Sequence, residues 1–331
     1  MSFTSIEEIF KAFDQLKILV IGDVMIDSYV WGNVSRISPE APVPVVNVKN
    51  REKRLGGAAN VALNLQSMGA EPILCSVLGD DEDSDVFIDL LNRRTISSRG
   101  LVKSKDRITT VKERVLAGSQ HLLRVDSESL TELNAAEEEK LQSHILKLLP
   151  EVNAVIFEDY DKGTITASII KTTIEAAVQQ GIPTIVDPKK NNFFHYKEVD
   201  LFKPNLKELK EGLNTVFDYH DEEALKTQTS RLREILQARY VMTTLSEKGV
   251  YIQGETIEHS IPAHKRSISD VSGAGDTVVS IAGLCMALQL SPYFTAALAN
   301  LGGGIVCEEL GVVPINKQRL LEEALKNKLQ L

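Results

Sequence analysis

Beyond residue 131 the chain alternates short apolar runs with amphipathic helical stretches, and that rhythm limits the fold more than any other feature. Helical patterns at 134–148, 165–179 and 222–237 lead toward Ala154-Val155-Ile156-Phe157, Thr184-Ile185-Val186 and Tyr240-Val241-Met242-Thr243-Thr244. A further run, Leu201-Phe202-Lys203-Pro204, closes in Asn205-Leu206-Lys207-Glu208. Apolar runs without alternation mark parallel strands covered on both faces. The expected fold is α/β: a doubly wound, mostly parallel sheet with helices on both faces. Upstream, a helix at 4–15 capped by Thr4 or Ser5 precedes the run Lys17-Ile18-Leu19-Val20-Ile21-Gly22-Asp23, the first such strand. Another strand is expected at 73–78, with a helix after it at 83–92. Asp27, Glu158, Asp159, Asp187, Asn205 and Thr244 recur at strand ends, the edge on which open α/β sheets bind ligands.

The first strand is followed by Gly22-Asp23-Val24-Met25-Ile26-Asp27, which lacks the G-x-G-x-x-G of a dinucleotide site. Pro39, Pro42 and Pro44 then rule out helix and suggest edge strands of a small separate sheet. Residues 109–126 also favour strands around a Gly118-Ser119 turn. Residues 1–331 are thus read as one domain, with β lid segments inserted at about 29–49 and 108–126. The lid is also a candidate contact for a second copy of the chain; the alternative is that these strands extend the main sheet.

Two glycine-rich stretches carry the chemistry. In Asp270-Val271-Ser272-Gly273-Ala274-Gly275-Asp276-Thr277, small residues let backbone amides converge on an anion at a helix N-terminus. Asp276 beside such a hole is either a proton acceptor for an attacking hydroxyl or a plain helix-start acid. The second stretch, Arg54-Leu55-Gly56-Gly57-Ala58-Ala59-Asn60-Val61-Ala62, is read as opening a helix that continues to Met68. Its glycines permit close backbone approach, and Asn60 offers a donor and an acceptor to a hydroxyl-rich ligand. Tight helix packing would use the same residues.

A net charge of −9 over 331 residues argues against a nucleic-acid partner. Cys75, Cys285 and Cys307 sit apart in apolar runs and read as reduced thiols of a cytoplasmic protein. Glu7, Glu8 and Asp14 make the N-terminus unlike a signal or transit peptide. No uncharged apolar run is long enough for a bilayer, so no membrane partner is expected.

Taken in order, Gly56-Gly57-Ala58-Ala59-Asn60, Asn205-x-x-Glu208 and Asp270 to Thr277 give the chain a resemblance to the ribokinase/PfkB carbohydrate kinases over nearly its whole length. A narrower likeness lies in Gly22 to Asp27, in Tyr29 and Trp31-Gly32, and in Ser35-Arg36-Ile37-Ser38-Pro39-Glu40-Ala41-Pro42-Val43-Pro44-Val45-Val46. It continues in Asp159-Tyr160-Asp161-Lys162-Gly163 and Asp187-Pro188-Lys189. These are similar to the branch that converts D-glycero-β-D-manno-heptose 7-phosphate to its 1,7-bisphosphate in ADP-heptose synthesis for lipopolysaccharide. The sequence has no His-x-Gly-His, so the adenylylation often fused to that kinase is expected elsewhere.

The resemblance implies ATP-dependent phosphoryl transfer, with the γ-phosphate over the amides of Gly273, Ala274 and Gly275 and Asp276 as general base. It implies an adenine pocket around Thr243, Thr244, Ser246, Gly249 and Asn300. Mg²⁺ would be held by ATP phosphates and water, with Asn205 and Glu208 in the outer shell, and K⁺ near Asp270 and Gly311. Asp27, Gly56, Gly57 and Asn60, with Glu158 and Asp159, would hold the sugar. Arg36, Lys112, Arg114 and Arg124 would take its phosphate beneath a lid that excludes water. The alternatives are another sugar, sugar-phosphate or nucleoside kinase of this fold and a silent sugar-binding regulator.

Overall fold

The computed structural model describes residues 3–118, 120–218 and 221–331; Ser119, half of the expected lid turn, lies outside them. Ser5 caps α1 (Ile6–Ala12) by accepting from the Glu8 amide, and the 3-10 turn Phe13–Gln15 leads to β1 (Lys17–Gly22). Asp23 alone separates β1 from β2 (Val24–Ile37), which turns back into β3 (Pro44–Gly57). Next come α2 (Ala58–Ser67), β4 (Glu71–Gly79), α3 (Glu82–Arg93), β5 (Gly100–Ser104), β6 (Val111–Ala117) and β7 (Gln120–Ser127). The alternating part comprises α4 (Ala135–Leu148), β8 (Ala154–Glu158), α5 (Ala167–Gln180), β9 (Thr184–Asp187), β10 (Leu201–Phe202), α6 (Leu206–Gly212), α7 (Glu222–Leu236) and β11 (Tyr240–Thr244). A hairpin, β12 (Val250–Gln253) and β13 (Glu258–Ile261), precedes α8 (Ala274–Ala287), α9 (Pro292–Val306) and α10 (Lys317–Lys326).

The main sheet runs β13-β12-β11-β10-β9-β8-β1-β4-β5, parallel except for the antiparallel edge hairpin β12–β13. Strand order grows outward in both directions from β1 and β8, so the winding reverses between them, where such sheets bind ligands. Both faces are covered. Ile18 and Val20 of β1 join the core built with α1, α2, α3, α8, α9 and α10, while Leu19 and Ile21 join the core with α4, α5, α6 and α7. That double burial is why the strands are continuously apolar. Neither β5, nor the β12–β13 hairpin, nor α9 and α10 is part of the sequence reading.

A second sheet, ordered β3-β2-β6-β7, forms the lid, its parallel pair β2–β6 flanked by two antiparallel pairs. Its strands run longer than the expected segments. Gly56 and Gly57 finish β3 by pairing with Met25 and Val24, and the helix opens only at Ala58. Gly57 has φ +60°, and a methyl group there would overlap the Asp23 carbonyl. The same carbonyl accepts from the Ala58 amide at 2.9 Å, so strand end and helix start converge on Asp23. No helix among the described residues is long and apolar enough to cross a membrane.

Candidate active site

Gly273, with φ +77°, turns the chain into α8. The Ala274 amide closes that turn on the Val271 carbonyl at 3.3 Å. Among the described residues no backbone carbonyl takes the amides of Gly273, Gly275 or Asp276, so these are the groups open to an anion. A methyl on Gly275 would lie 3.6 Å from Asp187 Oδ2 and 3.9 Å from Lys203 Nζ, which sets the helix terminus against a buried ion pair. Lys203 Nζ is 2.9 Å from Asp187 Oδ2. Burial alone would weaken its proton affinity, but Asp187 and Glu208 outweigh that and hold the ammonium above its usual pKa.

Asp276 follows in the first turn, 8% exposed. Its Oδ2 accepts from Asn60 Nδ2 at 2.6 Å and its Oδ1 from the Tyr160 hydroxyl at 2.9 Å. Burial raises its pKa; Asp187 adds to this, while the bonds from Asn60 and Tyr160 and the charge of Lys203 oppose it. Glu158 ends β8 opposite Asp187 in register and is 1% exposed, with Oε2 lacking any partner. Burial first, then Asp187 and Asp276, push its pKa well above the carboxylate range and favour its protonated form. Lys189 reaches Glu208 Oε1 at 2.7 Å.

These groups form one end of a cleft of about 810 Å³ whose other end is lined by Thr244, Ser246, Gly249, His264 and Asn300. A separate recess of about 490 Å³ along α6, near Lys207 and Glu211, holds none of them. Thr243 is not at the cleft. Alternation along β11 turns it inward, fully buried with its hydroxyl unpartnered, while Thr244 faces out. Gly249, at φ +94°, is required by packing as well, since a methyl there would strike the Ile261 carbonyl. Asn300 Nδ2 donates to the Pro262 carbonyl at 2.9 Å.

Asn205 and Glu208 make a reciprocal capping box on α6, with Glu208 N donating to Asn205 Oδ1 at 2.9 Å and Asn205 N to Glu208 Oε2 at 2.8 Å. Asp270 accepts from Ser272 N at 2.9 Å and Gly311 N at 3.1 Å. Asp159 is not among the residues lining the cleft. Its carboxylate accepts from Asp161 N, Asn192 Nδ2 and the Tyr196 hydroxyl, and burial pushes its pKa to about 6.

Across the lid face, Asp27, Arg54, Lys112 and Asp126 stand opposite one another, with Tyr29, Arg114 and Arg124 in the next row. Arg114 pairs with Asp27 at 2.5 Å, and Gly56 leaves room for that carboxylate, which a methyl group would strike. The guanidinium groups of Arg54 and Arg114 lie 5.1 and 5.4 Å from the Tyr29 ring centre. Lys112 sits between Asp126 and Glu128, and Lys162 is 2.9 Å from Glu128. Arg124 lies on edge strand β7, its side chain 59% exposed and tied to Asp126, and Arg36 is exposed near the far end of β2. Of the four expected cations, Lys112 and Arg114 are half-buried on this face beside Arg54, which is paired with Glu52, whereas Arg36 and Arg124 are exposed. Arg54, Tyr160, Asp187, Lys189 and Lys203 were not singled out as site residues by the sequence reading. Asp187 and Lys189 carried a signal, a strand end reading Asp-Pro-Lys.

An open parallel sheet whose crevice holds an anion-binding helix terminus beside a buried acid defines a phosphoryl-transfer enzyme. The description of the pfkB family of carbohydrate kinases matches residues 15–318, and the chain belongs to that family. It is an ATP-dependent carbohydrate kinase. It is 36% identical over 335 residues to the bifunctional protein HldE of Syntrophotalea carbinolica, covering 100% of this chain and 67% of that protein. With HldE of Helicobacter pylori strain G27 it shares 38% over 297 residues, 89% of this chain and 63% of that protein. The chain thus spans about two thirds of these curated relatives. Phosphofructokinase-2 from Escherichia coli, solved with potassium, superposes with a TM-score of 0.77 at 18% identity, covering 93% of this chain and 99% of that one. Arabidopsis thaliana ribokinase with ribose and ATP gives 0.72 at 15%, covering 93% and 99%. These two likenesses concern the fold.

Glu158 gives a pH test. Between the ordinary carboxylate value of 4.5 and its raised folded pKa, the folded protein holds a proton here that the unfolded chain has released. Rising pH therefore withdraws stability at this position. Glu158→Gln removes the dependence, so the Tm of the variant minus that of the wild type should increase as pH rises above about 5. A difference that stays flat or falls contradicts a neutral Glu158.

Proposed function

We propose that this kinase transfers the γ-phosphoryl group of ATP to the anomeric hydroxyl of a sugar phosphate, D-glycero-β-D-manno-heptose 7-phosphate, giving the 1,7-bisphosphate. The observation that carries the reading is Asp276: a buried carboxylate one residue from open amides, held only by neutral donors and therefore able to accept a proton. The acceptor hydroxyl would lie against Asp276 with Asn60 and Asp27 beside the ring, and the transferred group would lie over the amides of Gly273, Gly275 and Asp276 next to Lys203. Such a step asks the protein for positioning and charge stabilisation more than for covalent chemistry. The heptose choice rests on the Ser35 to Val46 segment and on the HldE relatives.

ATP would extend along the cleft toward Thr244, Ser246, Gly249 and Asn300. Both Glu208 oxygens are engaged, by Lys189 and by the Asn205 amide, so Asn205 and Glu208 fit Mg²⁺ held through water. Mg²⁺, when bound, supplies charge neutralisation on the phosphates. The potassium in the phosphofructokinase-2 structure supports reading Asp270 and Gly311 as a K⁺ site here. The acceptor's own phosphate would meet Arg54, Lys112 and Arg114. Val34, Val48, Leu123 and Val125, 38%, 48%, 58% and 46% exposed, share the opposite lid face by register, and a second copy of the chain would cover them.

Asp276→Asn should leave ATP binding near normal and lower kcat by about 10²–10⁴-fold in a coupled ADP-release assay with heptose 7-phosphate; near-normal turnover removes the base. Arg114→Ala should raise the KM for the sugar phosphate roughly tenfold or more without changing that for ATP, whereas Arg124→Ala should change neither. Equal effects of the two variants would refute this placement of the phosphate. Light scattering should find a dimer that Leu123→Lys converts to monomer, and a monomeric wild type rejects the lid contact.

A further inference from the structure

Both oxygens of Asp276 are held by donors that one distant carboxylate organises. Asp23, 1% exposed, sits in the joint between β1 and β2, beside the point where the sheet reverses its winding. Its Oδ2 accepts from the amides of Tyr160 at 2.9 Å and Lys162 at 3.1 Å, and its Oδ1 from Thr164 at 3.0 Å. Three amides from residues 160–164 are thereby gathered onto one group. The Asp23 carbonyl meanwhile takes the Ala58 amide and so fixes the start of α2, the helix that carries Asn60. The two donors on Asp276 thus descend from a single anchor. The Tyr160 ring is held from its other side by Lys189, whose ammonium lies 5.7 Å from the ring centre.

We propose that Tyr160 is a positioning residue for the phosphoryl-transfer step: its hydroxyl, placed by Asp23, orients Asp276 and favours the ionised form of that buried carboxylate. The inference rests on the reading of Asp276 as the base. A hydrogen bond donated to the charged form of a carboxylate favours that form, and charge-assisted bonds are the strong ones. Burial opposes ionisation here, as does Asp187 from β9, while Lys203 after β10 assists it; Glu158 from β8 faces the same group with its own protonated form favoured. Asn60 donates to the other oxygen. Tyr160 is itself held as the neutral phenol by burial and by Asp276, so it remains a donor throughout the working pH range.

Tyr160→Phe removes the hydroxyl alone and keeps the ring over Lys189. The direct measurement is a carboxyl-carbon NMR titration of the full chain, with the Asp276 resonance assigned by its loss in Asp276→Asn. The midpoint should rise by roughly half a unit to one unit in Tyr160→Phe. An unmoved or lowered midpoint overturns the proposal, whichever sugar the enzyme takes. In turnover, the acidic limb of kcat/KM for the sugar phosphate should move up by the same amount, so that the deficit shrinks as pH rises, with the KM for ATP unchanged. A deficit that is equal at every pH marks a merely structural loss and also overturns it. Asp23→Asn should reproduce the upward shift if it folds; Tyr160→Phe decides the matter without it. Failure of the base reading is distinct, because Asp276→Asn would then retain activity.

Discussion

Keeping one buried carboxylate charged is the constraint from which the rest of the site follows. Ionised groups in a low-dielectric interior need partners, and the choice of partner decides what the group can do. Asp187 has Lys203 and Glu208 has Lys189, so their charges are matched. Glu158 Oε2 has no hydrogen-bond partner among the described residues, and burial favours its protonated form. Asp276 is served by two neutral donors, an amide and a phenol. An ammonium in their place would satisfy it better and make it a poorer base, because proton affinity falls as the anion is stabilised.

The scaffold brings these residues together from distant parts of the sequence. Gly273 approaches Asn60 so closely that a methyl group on it would lie 3.1 Å from Nδ2, which ties the α8 terminus to the first turn of α2. Glu158 and Asp187 emerge side by side because β8 and β9 are parallel neighbours, and β1 sets Asp23 beside them. The gathering of Glu158 and Asp187 near the reversal point of the sheet is thus a consequence of strand order, while Asp276 is brought to them by the first turn of α8.

The sequence disclosed what depends on local pattern and concealed what depends on contact. The runs at Ile18 and Ala154 announce buried parallel strands because burial on both faces leaves an uninterrupted apolar signature. The Asp270 to Thr277 stretch announces a tight turn into a helix, and Gly273 at φ +77° opens α8 there. The Tyr160–Asp276 bond joins residues 116 apart and has no local trace. Arg54-Leu55-Gly56-Gly57 read as a helix opening, yet pairing with β2 makes it strand, a tertiary preference overriding a local one. Thr243 and Thr244 could have been separated by the two-residue period of a strand. The exposure of Arg36 and Arg124, against the half-buried Lys112 and Arg114, is likewise set by place in the lid sheet and has no local trace.

The joint at Asp23 gives the lid a lever arm. β2 has 14 residues and departs from β1 after that single residue, so its far tip stands about 46 Å away along an extended strand. A rotation of about 5° at the joint carries the tip through about 4 Å over such a length. Asp23 also grips the amides of Tyr160, Lys162 and Thr164, so the foot of that arm and the segment carrying the phenol share one fixed point.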